Sequence, residues 1–339
     1  MIKGTLVKAL KNNAFKAVFT GFTATTLSLG LTACGPVDQV KSAFAEDVIP
    51  PMPAPEVATY VLDLSGSTNP TAQLEALGSG ISDFIAGHSL GNPFAKSPEA
   101  PRGLSIQFIS TNAAQAPRIP LVSISTSQAL YNFVLNKNLN LEGSSLLWNG
   151  LINARTQIWQ NSTLEANPAA CIEQVVQSLG KQQLLPDALQ EPANLICQDA
   201  KKTANALKRL DSFVANPTVG RGSDVEGAIL IGLKNLINSK TEFPSAHLTL
   251  VIASDLIDEI GLNLPQKLAN ADSSKSCELG TKDASRITTD FSDVNVVLVG
   301  ARNSIAKTQL LDQVGSYWSC YFNQIGITNI EEKSDLSGF

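Results

Sequence analysis

Val57-Ala58-Thr59-Tyr60-Val61-Leu62-Asp63-Leu64-Ser65-Gly66-Ser67 is the stretch whose reading decides the fold. Its first six residues are apolar or β-branched without clean polar alternation, the pattern of a central strand covered on both faces. A polar turn follows from Asp63 to Pro70. Beyond it Leu74, Leu77, Ile81, Phe84 and Ile85 recur near a period of 3.6, which predicts a helix ending at Ala86-Gly87. A buried strand, a polar turn and an amphipathic helix form the first half of a βαβ unit.

Downstream, Leu104, Ile106 and Phe108 alternate with Ser105 and Gln107, predicting a strand over 103–110, and 118–125 is predicted to pair with it antiparallel. From 127 to 216 strand signals nearly vanish, and helices are predicted at 127–136, 145–159, 169–183 and 191–214, punctuated by Pro168, Pro186 and Pro192. This stretch reads as a helical insertion. Alternation then resumes with a helix at 225–237, a strand at 248–253, a helix near 262–271, a strand at 294–299 and a helix from 304 to about 322. The expected fold is α/β: a doubly wound, mostly parallel sheet flanked by helices, carrying a helical insertion.

Ahead of the domain, Lys3, Lys8, Lys11 and Lys16 precede an apolar run from Ala17 to Leu31, about the length of a signal-peptide core and short for a membrane span. The run ends in Leu31-Thr32-Ala33-Cys34, which resembles the lipobox of bacterial lipoproteins, so residues 1–33 are expected to be a signal peptide and Cys34 the lipidated residue. Residues 34–56 are polar, then proline-rich, and read as a tether between lipid and the domain at 57–339. The expected location is the extracytoplasmic face of a bacterial membrane.

The chain has 339 residues, 43% hydrophobic and 16% charged, enough for one sizeable core. Losing the first 33 residues takes the formal charge from −5 to −9, and no Lys/Arg cluster offers a footprint for nucleic acid. Besides Cys34 there are four cysteines, which allow three pairings. Cys171 with Cys197 and Cys277 with Cys320 keep each pair within one local segment. Zinc is disfavoured, because no CxxC spacing occurs and the only histidines are His88 and His247, both expected at the surface. Trp148, Trp159 and Trp318 fall at helical positions and are expected to pack in cores.

The chemistry concentrates at the end of the first strand, the edge of an open α/β sheet at which ligands bind. In a tight turn Asp63, Ser65 and Ser67 can point the same way while Gly66 relieves the backbone. All three offer oxygen, and a small oxygen-only set with two carboxylates favours Mg2+ or Mn2+ over Ca2+. This Asp-x-Ser-x-Ser pattern resembles the metal-ion-dependent adhesion site of von Willebrand factor type A domains. Gly222-Ser223-Asp224 leading into a helix resembles that family's Gly-Thr-Asp turn, and Ile252-Ala253-Ser254-Asp255 its aspartate at the end of a buried strand.

The resemblance implies that Ser65 and Ser67 bind the cation directly, Ser223 directly or through water, and Asp63 and Asp255 mainly through water. It also implies an open coordination position for a carboxylate on a partner protein. Ser223 replaces threonine, keeping the hydroxyl and losing the methyl that restricts χ1. Gly143-Ser144-Ser145 is a rival for the second motif, and Asp224 and Glu226 read as solvated acids in the first turn of a helix. No nucleophile elbow or P-loop occurs, and Ser65 stands where a phosphotransferase of the haloacid-dehalogenase type needs its acid/base aspartate. The expectation is a binding module rather than an enzyme. The alternative is an envelope-assembly factor that makes its contacts mainly through the insertion; a metal-dependent phosphotransferase ranks below both.

Overall fold

The computed structural model describes residues 51–63, 92–94, 100–116, 118–160, 167–179, 186–215, 222–300 and 308–333. The predicted helix over 74–85, together with Cys34, Ser65, Ser67 and His88, lies outside the described residues. The first strand, β1 (Glu56–Asp63), is followed by β2 (Arg102–Ile109) and β3 (Arg118–Val122). Four helices come next: α1 (Ile124–Leu135), α2 (Leu141–Gln160), α3 (Pro168–Leu179) and, after a 3-10 turn at Pro186–Leu189, α4 (Gln190–Ala215). The chain continues through α5 (Val225–Glu242), β4 (His247–Ala253), a single turn α6 (Leu264–Lys267) and α7 (Ser273–Ala284). It closes with β5 (Val294–Val299), α8 (Thr308–Gln324) and β6 (Ile330–Lys333).

The six strands form one mixed sheet in the order β3-β2-β1-β4-β5-β6, parallel throughout except for β3, which runs antiparallel to β2. Burial on both faces explains the unbroken apolar runs in β1, β4 and β5. Val61, Leu248, Leu250, Ile252 and Val296 face the layer made by α5, α7 and α8. Tyr60, Leu62, Ile106, Phe108, Val251 and Val297 point to the opposite face, where Ala206, Leu207 and Leu210 of α4 cover them.

The segment predicted as a helical insertion is helical, and its amino-terminal three helices with the first half of α4 enclose a separate core around Trp148, Leu151, Val175 and Ile196. The second half of α4 turns from that core onto the sheet. One helix thus serves both cores.

Cys171–Cys197 and Cys277–Cys320 are the two disulfides, as the local pairing predicts. The first joins α3 to α4 and the second joins α7 to α8. Two elements went unpredicted. Helix α7 buries only Ser276, Gly280 and Ala284, so it has no apolar stripe to reveal it. A Cβ on Gly280 falls 2.2 Å from the backbone oxygen of Tyr317, so the small face is what lets α8 approach. Strand β6, Ile-Glu-Glu-Lys, is a short charged edge strand without alternation. The helix predicted near 262–271 shrinks to α6, with Asn263 in a left-handed conformation before it.

Candidate functional site

The strand order reverses between β1 and β4, whose neighbours lead away in opposite directions. In a sheet of this type the crevice outside the carboxyl ends of the two strands at the reversal is the ligand position. Asp63 ends β1, and Asp255 stands two residues beyond β4. The register pairs Leu62 with Ala253, which sets Asp63 opposite Ser254. Ser254 Oγ accordingly donates to Asp63 Oδ2 at 2.8 Å, and Asp63 is fully buried.

The chain leaving β4 is bent sharply at this point. Leu256 has φ +62°, a conformation costing a bulky residue roughly 1–2 kcal/mol. Three hydrogen bonds hold the bend: Leu256 N–H to Ser254 Oγ at 3.0 Å, Ile257 N–H to Asp255 Oδ1 at 3.1 Å, and Trp318 Nε1–H to the Leu256 carbonyl at 2.9 Å. Asp255 is 1% exposed, and its second oxygen, Oδ2, has no hydrogen-bond partner among the described residues. A buried carboxylate oxygen left this way loses the free energy of its hydration without return.

Ser223 is also buried, in the turn before α5. Gly222 precedes it at φ +103°, in a region that favours glycine. The turn is fastened on two sides. Asp224 N–H donates to the Ser110 carbonyl beyond β2 at 2.8 Å, and Asp224 Oδ2 accepts from Ala113 N–H at 3.1 Å. On the β4 side the Ser223 carbonyl accepts from Glu259 N–H at 2.9 Å and Ile260 N–H at 3.3 Å. Asp258, fully buried, completes the join by accepting from Glu226 N–H at 2.9 Å and Leu262 N–H at 2.7 Å. Burial pushes the Asp258 carboxyl above its ordinary value, against the pull of those N–H donors and with the nearby Asp224 charge adding to the rise.

Asp63 ends β1, Asp255 follows β4, and the turn carrying Ser223, which enters α5, is tied by hydrogen bonds to the loops after β2 and β4. The rival Ser144 lies in the first turn of α2, which packs on α1, α3 and α4. Its hydroxyl belongs to the helical core, not to this edge.

One sequence reading needs correction. Glu226 is not solvated: it is 6% exposed, accepts from Tyr321 Oη at 2.5 Å and pairs with Arg286. Its place in the first turn of α5 aims it inward against α7 and α8, which amphipathic patterning of one helix does not reveal. Burial, then the Glu226 bond and charge, raise the Tyr321 hydroxyl well above its usual range. Asp224 instead caps α5, accepting from Gly227 N–H at 2.9 Å. His247 is exposed, Trp148 and Trp318 are core residues, and the Trp159 side chain falls outside the described residues.

Among the described residues no group of three or more His, Cys, Asp and Glu side chains is placed to hold a metal. The donors gathered here are two carboxylates and a hydroxyl. Among the described residues, too, no helix is long and apolar enough to cross a membrane. No protein-family model, curated protein or solved structure matches this chain.

Proposed function

We propose that this protein is a lipid-anchored, extracytoplasmic binding module resembling von Willebrand factor type A domains, and that a divalent cation at its sheet edge captures a carboxylate on a partner protein. The observation that carries the reading is the buried Oδ2 of Asp255, unpartnered among the described residues, beside the reversal of strand order. A cation offsets the cost of that oxygen, and oxygen-only donors suit Mg2+ or Mn2+. Asp63, Ser65, Ser67, Ser223 and Asp255 would hold it, and the ion would supply an electropositive docking point on an acidic surface.

The residues around these ligands orient rather than react. Ser254 fixes the Asp63 carboxylate, Ile257 N–H turns one oxygen of Asp255 so that the other is left over, and Asp258 binds the Ser223 turn to the β4 loop. No acid/base partner accompanies them in this reading, so the protein binds and does not catalyse.

Affinity capture of partners by the intact protein, with Mg2+ and with EDTA, beside the Asp63→Ala variant, tests the proposal. Capture that needs Mg2+ and Asp63 supports it. Capture unchanged by both treatments defeats it in favour of contacts made by the helical segment.

A further inference from the structure

Helix α4 carries two pairs of cations, Lys201-Lys202 and Lys208-Arg209, spaced two helical turns apart. At 3.6 residues per turn the four share an arc of about 120° over a length of about 12 Å. All four are exposed, as is Arg118 at the start of β3. Thr203 Oγ1 donates to the Leu121 carbonyl at 3.2 Å, and Arg209 Nη2 donates to the Arg118 carbonyl at 3.4 Å. Helix α4 therefore runs back along β3, and Arg118 extends the basic stripe.

The surroundings carry little opposing charge. From Arg102 to Leu141, the stretch that supplies β2, β3 and α1, the sequence has no Asp or Glu. Asp199 of α4 is buried against Arg155, and the side chain of Asp211 lies outside the described residues. Counting Asp211, α4 from Ala200 to Ala215 holds four cations and one acid, whereas the chain after residue 33 has a formal charge of −9. A solvated surface ordinarily intersperses both signs. Segregation of this kind gives one flank a positive potential on a molecule that is otherwise negative. An anionic surface repels the other faces and meets this one, so it sets the orientation of the domain.

The attachment of the chain brings such a surface close. Glu56 N–H donates to the Pro101 carbonyl at 2.9 Å, His247 N–H donates to the Pro55 carbonyl at 2.8 Å, and Met52 packs on the helical core. The tether thus enters at the amino end of β1. Lys201 and Lys202 lie toward the same end of the sheet, because Thr203 meets Leu121 and the adjoining Val122 pairs with Leu104 near the start of β2. The 17 residues 34–50 span at most about 60 Å, so a bilayer holding Cys34 stays within reach of this flank. Tethering also gives that bilayer an effective concentration that a free acidic protein or nucleic acid lacks.

We propose that the basic stripe of α4 docks the domain on an anionic lipid surface, through the phosphate headgroups of the bilayer that holds its anchor. That a bilayer is at hand rests on the lipid-anchor reading. The preference for an anionic surface rests on the stripe alone.

The test reconstitutes the full chain with vesicles of phosphatidylcholine alone or mixed with phosphatidylglycerol. Exposed lysines are then acetylated with a water-soluble reagent and read site by site by mass spectrometry. A cation beside an anionic surface strengthens association roughly fivefold. Labelling of Lys201, Lys202 and Lys208 is therefore expected to slow by roughly fivefold or more on the anionic vesicles at low salt and to recover at high salt. Lys275 and Lys282, exposed on α7 across the sheet, should be unchanged. In Lys201→Gln/Lys202→Gln, altered only at exposed positions, protection of Lys208 should disappear at lower salt, and Lys201→Arg/Lys202→Arg should keep it. Equal labelling of the three lysines on both vesicles, or Lys208 protection indifferent to the glutamines, overturns the proposal. Protection by soluble polyglutamate but not by phosphatidylglycerol also overturns it and assigns the stripe to an acidic protein. Flotation with neutral vesicles at high salt reports the anchor separately. Protection on anionic vesicles without that flotation removes the anchor and leaves the stripe, and the reverse removes the stripe alone.

Discussion

Ser254 donates its hydroxyl to the Asp63 carboxylate at 2.8 Å, joining two strand ends that lie 191 residues apart in the sequence. The same hydroxyl oxygen accepts from Leu256 N–H, so one small side chain both steadies a buried anion and holds the strained bend after β4. Ser254→Ala removes both bonds and leaves the carboxylate less solvated by the protein. The expected cost is about 1–3 kcal/mol in urea unfolding, with a lower Mg2+ affinity. Wild-type stability in the variant would show that the pair is incidental.

Asp255→Asn is expected to move two observables in opposite directions. In metal-free protein it replaces a buried, unpartnered charge by a neutral amide while Oδ1 can still accept from Ile257 N–H, so stability rises. Mg2+ at a hundred times its dissociation constant should stabilise the wild type by about 2.7 kcal/mol, and the variant hardly at all. Thermal unfolding with and without Mg2+ measures both. A variant that still responds to Mg2+ places the ion elsewhere.

How far the sequence reaches is visible in these residues. Strand β1 and the run Val294–Val299 were legible because burial on both faces leaves an unmistakable apolar signature. The positions of Asp63 and Asp255 were legible because each closes a buried apolar run, and the strand order sets those two strand ends side by side. Ser254 was not, since a serine beside a candidate ligand announces nothing until the register sets it opposite Asp63. The role of Glu226 depends on Tyr321 and Arg286, which are 95 and 60 residues away. Helix α7 stayed hidden because its buried face is made of small residues, although Asp272 caps it through Lys275 N–H.

The disulfides should contribute unequally to different parts of the molecule. Cys171–Cys197 spans 26 residues inside the helical core, and Cys277–Cys320 spans 43 and ties α7 to α8 beside the sheet. Replacing either pair by alanine is expected to cost about 2–4 kcal/mol, the longer loop slightly more. Hydrogen exchange should then show local opening of α3 and α4 for the first pair and of α7 and α8 for the second. Protection lost evenly across the chain would contradict two separable cores.

Stability should fall in acid partly through Asp283. Burial raises its carboxyl, but hydrogen bonds from Lys267 and Tyr317, with the charges of Lys267 and Arg286, bring it below its ordinary 3.8. A depressed value means that the folded state holds the proton less tightly than the unfolded one. The stabilisation is complete above pH 3.8 and disappears as pH falls through the lower folded value. Asp283→Asn is therefore expected to be less stable at neutral pH and to lose less on acidification below pH 4. Parallel pH profiles for the two proteins would exclude the contribution.

Two glycines give a paired test of the Ser223 turn. Gly222 sits at φ +103°, and a Cβ there falls 2.8 Å from Ile260 Cδ1, the side chain that closes over the turn from the β4 loop. Gly315 lies within α8, and a Cβ there meets nothing within 4 Å. Gly315→Ala should stabilise the protein by about 0.5–1 kcal/mol, because it removes unfolded-chain entropy without strain. Gly222→Ala should cost about 1–3 kcal/mol, because the left-handed backbone and Ile260 both resist the methyl. Relief of that strain displaces Ser223, so the Mg2+ affinity of Gly222→Ala should fall while that of Gly315→Ala stays unchanged. Equal Mg2+ affinity in the two variants would mean that the Ser223 turn does not belong to the cation site.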